Sequence, residues 1–361
     1  MKLIIFSRYT SKHASTRVRF IQFIPSLNLT GFKVELYSVL DDGSVNGQSS
    51  LFEMLLLRVT ALVRVARQLV KIRQPFLLHI HIELFPWIPY CIERLFLKSI
   101  GIKKYSIELD DAWFHRYENH SSIFVRLLLG KKINQLMKNA TVVIAGNQYI
   151  ADRAIGIGSK CAVVIPTVVD TNIYAMGKAK NKIQPKLIAR TKPVIGWIGS
   201  PATTKFLIKL QSVIKHLHNS NIATFVAFGA DSSQLKGLPI TVIPWDESKE
   251  IEMLYKFDIG IMPLADSLFE RGKCGYKLIQ YMACSLPVVA SPVGVNSTIV
   301  MHGKSGFLAS DDSEWIEFLS MLCVDSNLRL SFGKVGLERA IEKYSLTAVA
   351  PKVVSIFKSI S

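Results

Sequence analysis

Short apolar runs alternate with longer amphipathic stretches along most of the chain. In the first half the runs are Leu3–Ser7, Val34–Val39, Leu77–Ile82, Tyr105–Leu109, Thr141–Ala145 and Val163–Ile165. Several are apolar at nearly every position, which is the signature of strands in a parallel sheet covered on both faces. Between them, Leu51–Arg73 and Ile123–Lys138 read as helices. The alternation pauses at Ala175–Lys192, a polar, basic stretch that contains Pro185 and reads as a linker. It resumes with strands at Val194–Ile198, Thr224–Phe228, Ile240–Ile243, Ile259–Met262 and Pro287–Ala290. Helices are expected at Thr203–His216, Lys249–Phe257 and Tyr276–Met282, and everything after Asp311 reads as helical.

Two α/β halves joined by a linker imply two Rossmann-like domains facing each other across a cleft, with ligands beyond the carboxyl ends of the strands. The boundaries expected are 1–175, a linker at 176–192, and 193–344. The last helix, about 345–361, is expected to pack back on the first domain. A length of 361 residues agrees with two domains.

Composition narrows this picture. Apolar residues make up 49% and charged residues 20%, which excludes global disorder. The most apolar long segment, Leu51–Val70, is interrupted by Glu53, Arg58, Arg64 and Arg67, so it does not read as a membrane span. The apolar run at the start, Leu3–Phe6, is shorter than a signal-peptide core. Five cysteines without a CxxC pair point to reduced thiols and a cytoplasmic protein. Neither cysteine nor histidine spacing suggests a metal site. The net charge is +17, and residues 1–165 carry 22 Lys and Arg against 11 Asp and Glu. Such a balance suits phosphorylated substrates or an anionic membrane surface. Nucleic acid is not expected, because the basic residues have no interleaved aromatic platform.

Four segments carry candidate chemistry. In Gly196–Lys205 a strand runs into a Gly199-Ser200 turn and a helix opening near Thr203. Helix N–H groups there, with Lys205, suit a phosphate; an ordinary strand-to-helix turn explains the segment equally well. In the second, Glu270, Arg271, Gly272, Lys273 and Gly275 form a basic glycine loop before an amphipathic helix. Tyr276, Lys277 and Gln280 lie within one turn on that helix. The third, Ser15-Thr16-Arg17-Val18-Arg19, opens a helix after the first strand. Arg17 and Arg19 suit a phosphate of donor or acceptor, or else a solvated helix start. The fourth, Glu108-Leu109-Asp110-Asp111-Ala112-Trp113, ends a strand with paired carboxylates, and His115 follows them. Asp110 or Asp111 is expected to contact an acceptor hydroxyl or act as acid/base; a helix N-cap is the alternative. His79 and His81 lie on one strand face and read as packing.

The stretch Arg271–Gly294 resembles the donor-binding region of family-4 glycosyltransferases, which have the GT-B fold and retain anomeric configuration. Their pattern is E-G-F-G-x-x-x-x-E-A-M-A-x-G-x-P-V-V-A. Gly275, Met282-Ala283 and Pro287-Val288-Val289-Ala290 match it. Asp258–Pro263 and Val164–Asp170 resemble two further segments of the family. The family's two glutamates fall at Gly272 and Gln280. A subgroup with an R-G-K-C-G-Y-K-L-x-Q-Y-M-A motif shares that departure.

The resemblance implies transfer of a sugar from a nucleoside diphosphate sugar to a glycan or lipid-linked glycan in surface polysaccharide synthesis. The basic amphipathic stretches Leu51–Arg73, Ile92–Lys104 and Arg126–Lys138 suit docking on the inner face of the membrane, or equally are ordinary surface helices. No cofactor is expected. Gly199, Ser200, Lys205, Trp245, Glu270, Arg271, Gly272, Gly275, Tyr276, Lys277 and Gln280 are expected to bind donor. Trp245 would stack the base and Gln280 would bond the ribose. Lys273 joins Asp110 and Asp111 in catalysis, while Arg17, Arg19 and His115 would contact acceptor. A sugar-nucleotide 2-epimerase of the same fold, and an inactive membrane adaptor, are the alternative readings.

Overall fold

A computed structural model describes residues 1–41, 51–72, 75–183 and 192–361. The chain divides into two compact units. The first comprises Met1–Thr167, Arg271–Cys274 and Val349–Ser361; the second comprises Val168–Glu270 and Gly275–Ala348.

The sheet of the first unit contains β1 (Lys2–Ser7), β2 (Lys33–Ser38), β3 (Phe76–His81), β4 (Ser106–Leu109), β5 (Val142–Ala145) and β6 (Ala162–Val164). Their order is β2-β1-β3-β4-β5-β6, and every pairing is parallel. Leu3, Ile4, Ile5 and Phe6 are all fully buried, so both faces of β1 are covered, as its unbroken apolar run requires. The second sheet contains β7 (Val194–Ile198), β8 (Thr224–Phe228), β9 (Ile240–Ile243), β10 (Ile259–Met262), β11 (Val288–Ala290) and β12 (Gly306–Leu308). Its order, β12-β11-β10-β7-β8-β9, is again parallel throughout. In each sheet the strand order reverses beside the unit's first strand, the place where open α/β sheets bind ligands.

The strand expectations match closely apart from β12, and three segments outside the strands differ. β12 is missing from the expected strands: its sequence, Gly306-Phe307-Leu308, has only two apolar residues behind a glycine and shows no apolar run. The single helix expected over Ile123–Lys138 is two, Ile123–Leu129 and Lys132–Asn139, parted at Gly130-Lys131. The helix expected at Thr203–His216 is a 3₁₀ turn at Pro201–Thr203, a four-residue helix Lys205–Ile208, and a helix Gln211–Asn219. The polar stretch read as a linker from residue 176 is helical up to Ile183, inside a helix Thr171–Ile183. Residues 184–191 of it, like Arg73 at the end of the expected Leu51–Arg73 helix, lie outside the described residues.

Among the described residues no helix is long and apolar enough to cross a membrane.

Candidate functional site

In the first unit the candidate site grows from the carboxyl ends of β3 and β4. Pairing sets His79 against Ser106 and His81 against Glu108. Alternation then puts His79, His81, Glu108 and Asp110 on one face, two residues apart. His79 Nε2 lies 3.1 Å from Glu108 Oε2, and His81 Nε2 lies 3.0 Å from Asp110 Oδ1. Arg19 completes the row: its Nε donates to Glu108 at 2.5 Å, and its terminal nitrogens donate to Thr167 Oγ1 and the Ile165 carbonyl.

β3 ends in a strained turn. Ile82 has a φ of 70°, and the Glu83 N–H donates to the His81 carbonyl at 2.8 Å. A β-branched residue is rarely found there. The turn delivers Glu83 into a buried charge cluster, where it meets Arg8 at 2.6 Å and Lys132 at 2.7 Å. Glu93 lies 3.1 Å from Lys132 and accepts the Leu84 N–H. Despite burial, Lys132 and Arg8 hold Glu83 down to about 2.

Asp110 and Asp111 are neighbours with opposite environments. Burial opposes ionisation of Asp110, but His81, Ser15 and Arg19 overcome it and hold the carboxyl well below its usual range. Burial pushes Asp111 up to about 7; Asp110 adds to the rise, while Lys273, Arg116 and His81 oppose it. Two adjacent carboxyls thus differ in protonation near neutrality, the arrangement that acid/base work requires.

Lys273 reaches this place because Arg271–Cys274 belongs to the first unit, although the motif around it belongs to the second. Three contacts pin the tetrapeptide. Asn147 caps the helix Gln148–Gly156 through its Oδ1, while its Nδ2 donates to the Gly272 carbonyl at 2.7 Å and the Lys273 carbonyl at 3.0 Å. The Cys274 thiol donates to the Asp110 carbonyl at 2.7 Å. A Cβ on Gly272 would lie 2.3 Å from Ala112 Cβ, so only glycine fits against the Asp110–Ala112 segment. Beside the loop, His115 bonds the Tyr149 hydroxyl at 2.8 Å and pairs with Glu118 at 3.2 Å.

In the second unit Gly199, Trp245, Gly275, Lys277 and Gln280 form one connected series. Gly275 caps the helix Tyr276–Ala283 in the left-handed region, at φ 64°, where a Cβ would strike Ile299 Cδ1 at 2.3 Å. Lys277 in the helix's first turn lays its Nζ 4.1 Å over the Trp197 ring. A Cβ on Gly199 would lie 2.6 Å from that Nζ, so the cation sits against the end of β7. Gly229, after β8, packs on the Gly199 carbonyl and on Trp245. Trp245 follows β9, is 41% exposed, and donates its indole N–H to Glu250 at 3.1 Å. Gln280 donates to the other Glu250 oxygen at 2.6 Å and to the Tyr174 hydroxyl at 3.2 Å.

Several expected site residues are placed differently from the sequence reading. Arg19 was expected at a phosphate; it is buried, with its guanidinium engaged by Glu108, Thr167 and Ile165. Arg17 is the more exposed of the two and donates to the Lys12 carbonyl at 2.5 Å. Gln280 was expected on a ribose; it is 2% exposed and directed onto Glu250 and Tyr174. No long helix starts at Thr203, so the macrodipole invoked for Ser200 and Lys205 shrinks to that of a four-residue helix. Lys205 is exposed, with its Nζ 5.2 Å over the Phe206 ring, and Glu270 bonds Ser267. His79 and His81, read as packing, are members of the charge row. Asn147, Cys274, Tyr149 and Glu250 escaped notice. An Asn two residues past the expected strand Thr141–Ala145 and a carboxylate five residues past Trp245 were the available signals.

Among the described residues no three His, Cys, Asp or Glu converge as a metal-binding group.

Residues 192–325 match the family model described as glycosyl transferases group 1. Most of the matched stretch lies in the second unit. Over 91 residues the chain is 31% identical to the alpha-maltose-1-phosphate synthase of Mycolicibacterium smegmatis, covering 23% of this chain and 24% of that one. Over 254 residues it is 24% identical to the D-inositol 3-phosphate glycosyltransferase of Corynebacterium jeikeium, covering 63% and 59%. The matched stretches thus span about a quarter and about three fifths of these curated relatives. Among solved structures, sucrose-phosphate synthase from Thermosynechococcus elongatus superposes with a TM-score of 0.71 at 15% identity, over 99% of this chain and 98% of that one. Anabaena Alr3699/HepE in complex with UDP and glucose gives a TM-score of 0.69 at 15% identity, over 99% and 100%. The fold is therefore the two-domain, Rossmann-like GT-B fold of these glycosyltransferases.

Proposed function

We propose that the protein is a glycosyltransferase that moves a sugar from a nucleoside diphosphate sugar to a hydroxyl of a glycan or lipid-linked glycan, with retention. The observation that carries this reading is the cradle in the second unit. Lys277 is held over Trp197 against Gly199, beside the N-terminus of the helix that Gly275 caps. Such a cation and such N–H groups stabilise the charge that builds on a leaving diphosphate. The first unit supplies the acceptor chemistry. Asp111, poised near 7, takes the proton of the attacking hydroxyl, and Lys273 beside it adds positive charge. Anabaena Alr3699/HepE, a structure with UDP and glucose bound, supports a nucleotide sugar as donor. Retention, and membership of the family-4 subgroup, rest on the Arg271–Ala283 motif.

The acceptor reading extends to surface polysaccharide synthesis on the inner face of a membrane. The helix Ile123–Leu129 supports it: Phe124, Leu127 and Leu128 are 73%, 77% and 66% exposed, next to Arg126 and Lys131. Apolar side chains ringed by cations suit an anionic bilayer. Lys273→Ala is the direct test. It should lower transfer sharply while leaving the melting temperature nearly unchanged, and unaltered turnover would remove Lys273 from the site.

A further inference from the structure

The second unit holds a carboxylate whose position Gln280 explains. Gln280 is buried in the helix Tyr276–Ala283, and its amide points at Glu250 rather than outward. The indole N–H of Trp245 takes the other Glu250 oxygen. A carboxylate gripped through both oxygens, by one buried amide and one ring edge, has a fixed plane. An ionised carboxylate only accepts hydrogen bonds, so a ligand there must bring donors, and two adjacent hydroxyls match its two oxygens. The half-exposed Trp245 ring beside it offers an apolar face to a flat group.

The neighbours set the order of the groups. From Lys277 the contacts run through Gly199 and Gly229 to Trp245, and from Trp245 to Glu250. A second route runs along the helix Tyr276–Ala283 from Lys277 to Gln280, from Gln280 to Glu250 and from Glu250 to Trp245, so along it cation, fixed carboxylate and aromatic ring follow one another. A molecule with phosphate, a vicinal diol and a planar ring carries complementary groups in one frame.

We propose that Glu250 is the residue that reads the ribose hydroxyls of the donor nucleotide, and that Gln280 and Trp245 are its positioning residues. This rests on the nucleotide-sugar reading above. It moves ribose recognition from Gln280, where the motif would put it, to a carboxylate thirty residues earlier.

The test is calorimetry with UDP, GDP and ADP and their 2′-deoxy counterparts, on the wild type, Glu250→Gln and Trp245→Phe. The wild type should bind the ribonucleotide roughly ten- to a hundredfold more tightly than the 2′-deoxy form, the span of a hydrogen bond to a charged group. Glu250→Gln should abolish most of that preference. Trp245→Phe keeps the ring and removes the N–H, so it should reduce the preference less. Melting curves without ligand establish that each variant is folded. Tight ribonucleotide binding with no 2′-deoxy discrimination, or discrimination that survives in both variants, overturns the assignment of Glu250 and leaves the donor reading standing. Binding of no diphosphate by the wild type overturns both.

Discussion

The two units share a sheet topology and differ in what they bury. Among the described residues the first encloses Arg8, Arg19, His79, His81, Glu83, Glu93, Glu108, Asp110 and Lys132. The buried polar residues of the second are neutral: Thr204, Gln280, Ser291, Asn296, Ser305 and Ser345. Burying a charge costs several kcal/mol before any partner is found, so the first unit carries a constraint that the second lacks. One of its left-handed residues, Ile82, lies between His81 and Glu83 of this cluster. The second unit's candidate site is built instead around the close-packed glycines Gly199, Gly229 and Gly275 and few charged side chains. The contrast fits the two tasks proposed for them: proton chemistry needs preset charges, whereas holding a diphosphate needs close backbone approach and a few well-placed cations.

The largest effect should come from Asp111. Asp111→Asn should lower kcat by roughly 10²- to 10⁴-fold, the usual worth of a general base. Stability should move the other way. A carboxyl whose folded pKa is raised to about 7 favours the folded state at low pH; that contribution is lost as pH rises through about 7. At pH 8 the asparagine removes an unfavourable buried charge, and the melting temperature should rise or hold. Full turnover in this variant would leave the first unit's charges without a catalytic role.

Next is Lys132→Met. It strands Glu83 and Glu93 in the interior and should cost about 3–5 kcal/mol in urea denaturation. Glu83 is depressed, so the stability it contributes is present above the usual carboxylate range and fades as pH falls toward 2. A neutral site in the second unit should respond less. Ser291 accepts the Leu264 N–H at 3.0 Å, and Ser291→Ala should cost about 1–3 kcal/mol. Equal losses at the two sites would dissolve the contrast.

This contrast explains what was legible in the chain. The central strands could be read because both faces of each sheet are covered there and continuous apolar runs record that burial, while the half-buried edge strands β2 and β9 were legible from their apolar positions alone. The glycine loop was legible because its residues are close in sequence. The charge row was not. His81 meets Asp110 and Arg19 meets Glu108 across 29 and 89 residues, and a His-x-His on a strand looks the same whether it packs or pairs. Gln280 shows the same limit. Its helical register was right, but its partner Glu250 is 30 residues away, and that partner determines which way the amide faces. Lys273 could be nominated from its loop, while its place beside Asp111 depends on Asn147 and Cys274 pinning four residues to the first unit.

A smaller effect is expected at Gly275. Gly275→Ala places a Cβ in the left-handed region, costing about 1–2 kcal/mol, and presses it on Ile299 Cδ1. That atom is the end of a flexible side chain and can shift, so the fold should survive. The N–H groups at the start of Tyr276–Ala283 would be displaced with it. Thermal-shift titration with UDP, GDP and ADP should then show weaker binding than the modest loss of stability accounts for. Unchanged affinity would separate the diphosphate from this helix end.

The subtlest prediction concerns how the first unit tunes Asp111. Burial and Asp110 raise its pKa, while Lys273, Arg116 and His81 restrain the rise. Lys273→Gln removes the strongest restraint, so Asp111 should titrate at higher pH than in the wild type, by on the order of one unit for a lost neighbouring charge. Carbon-13 NMR of the labelled aspartate carboxyls reads this without relying on turnover, which the same substitution should depress. In the wild type one resonance should titrate near neutrality while Asp110 stays ionised down to low pH, because His81, Ser15 and Arg19 hold its charge. An Asp111 resonance that stays put in Lys273→Gln would mean that the lysine does not act on the carboxyl electrostatically, and the role of the Arg271–Cys274 loop in the first unit would reduce to packing against Ala112 and Asn147.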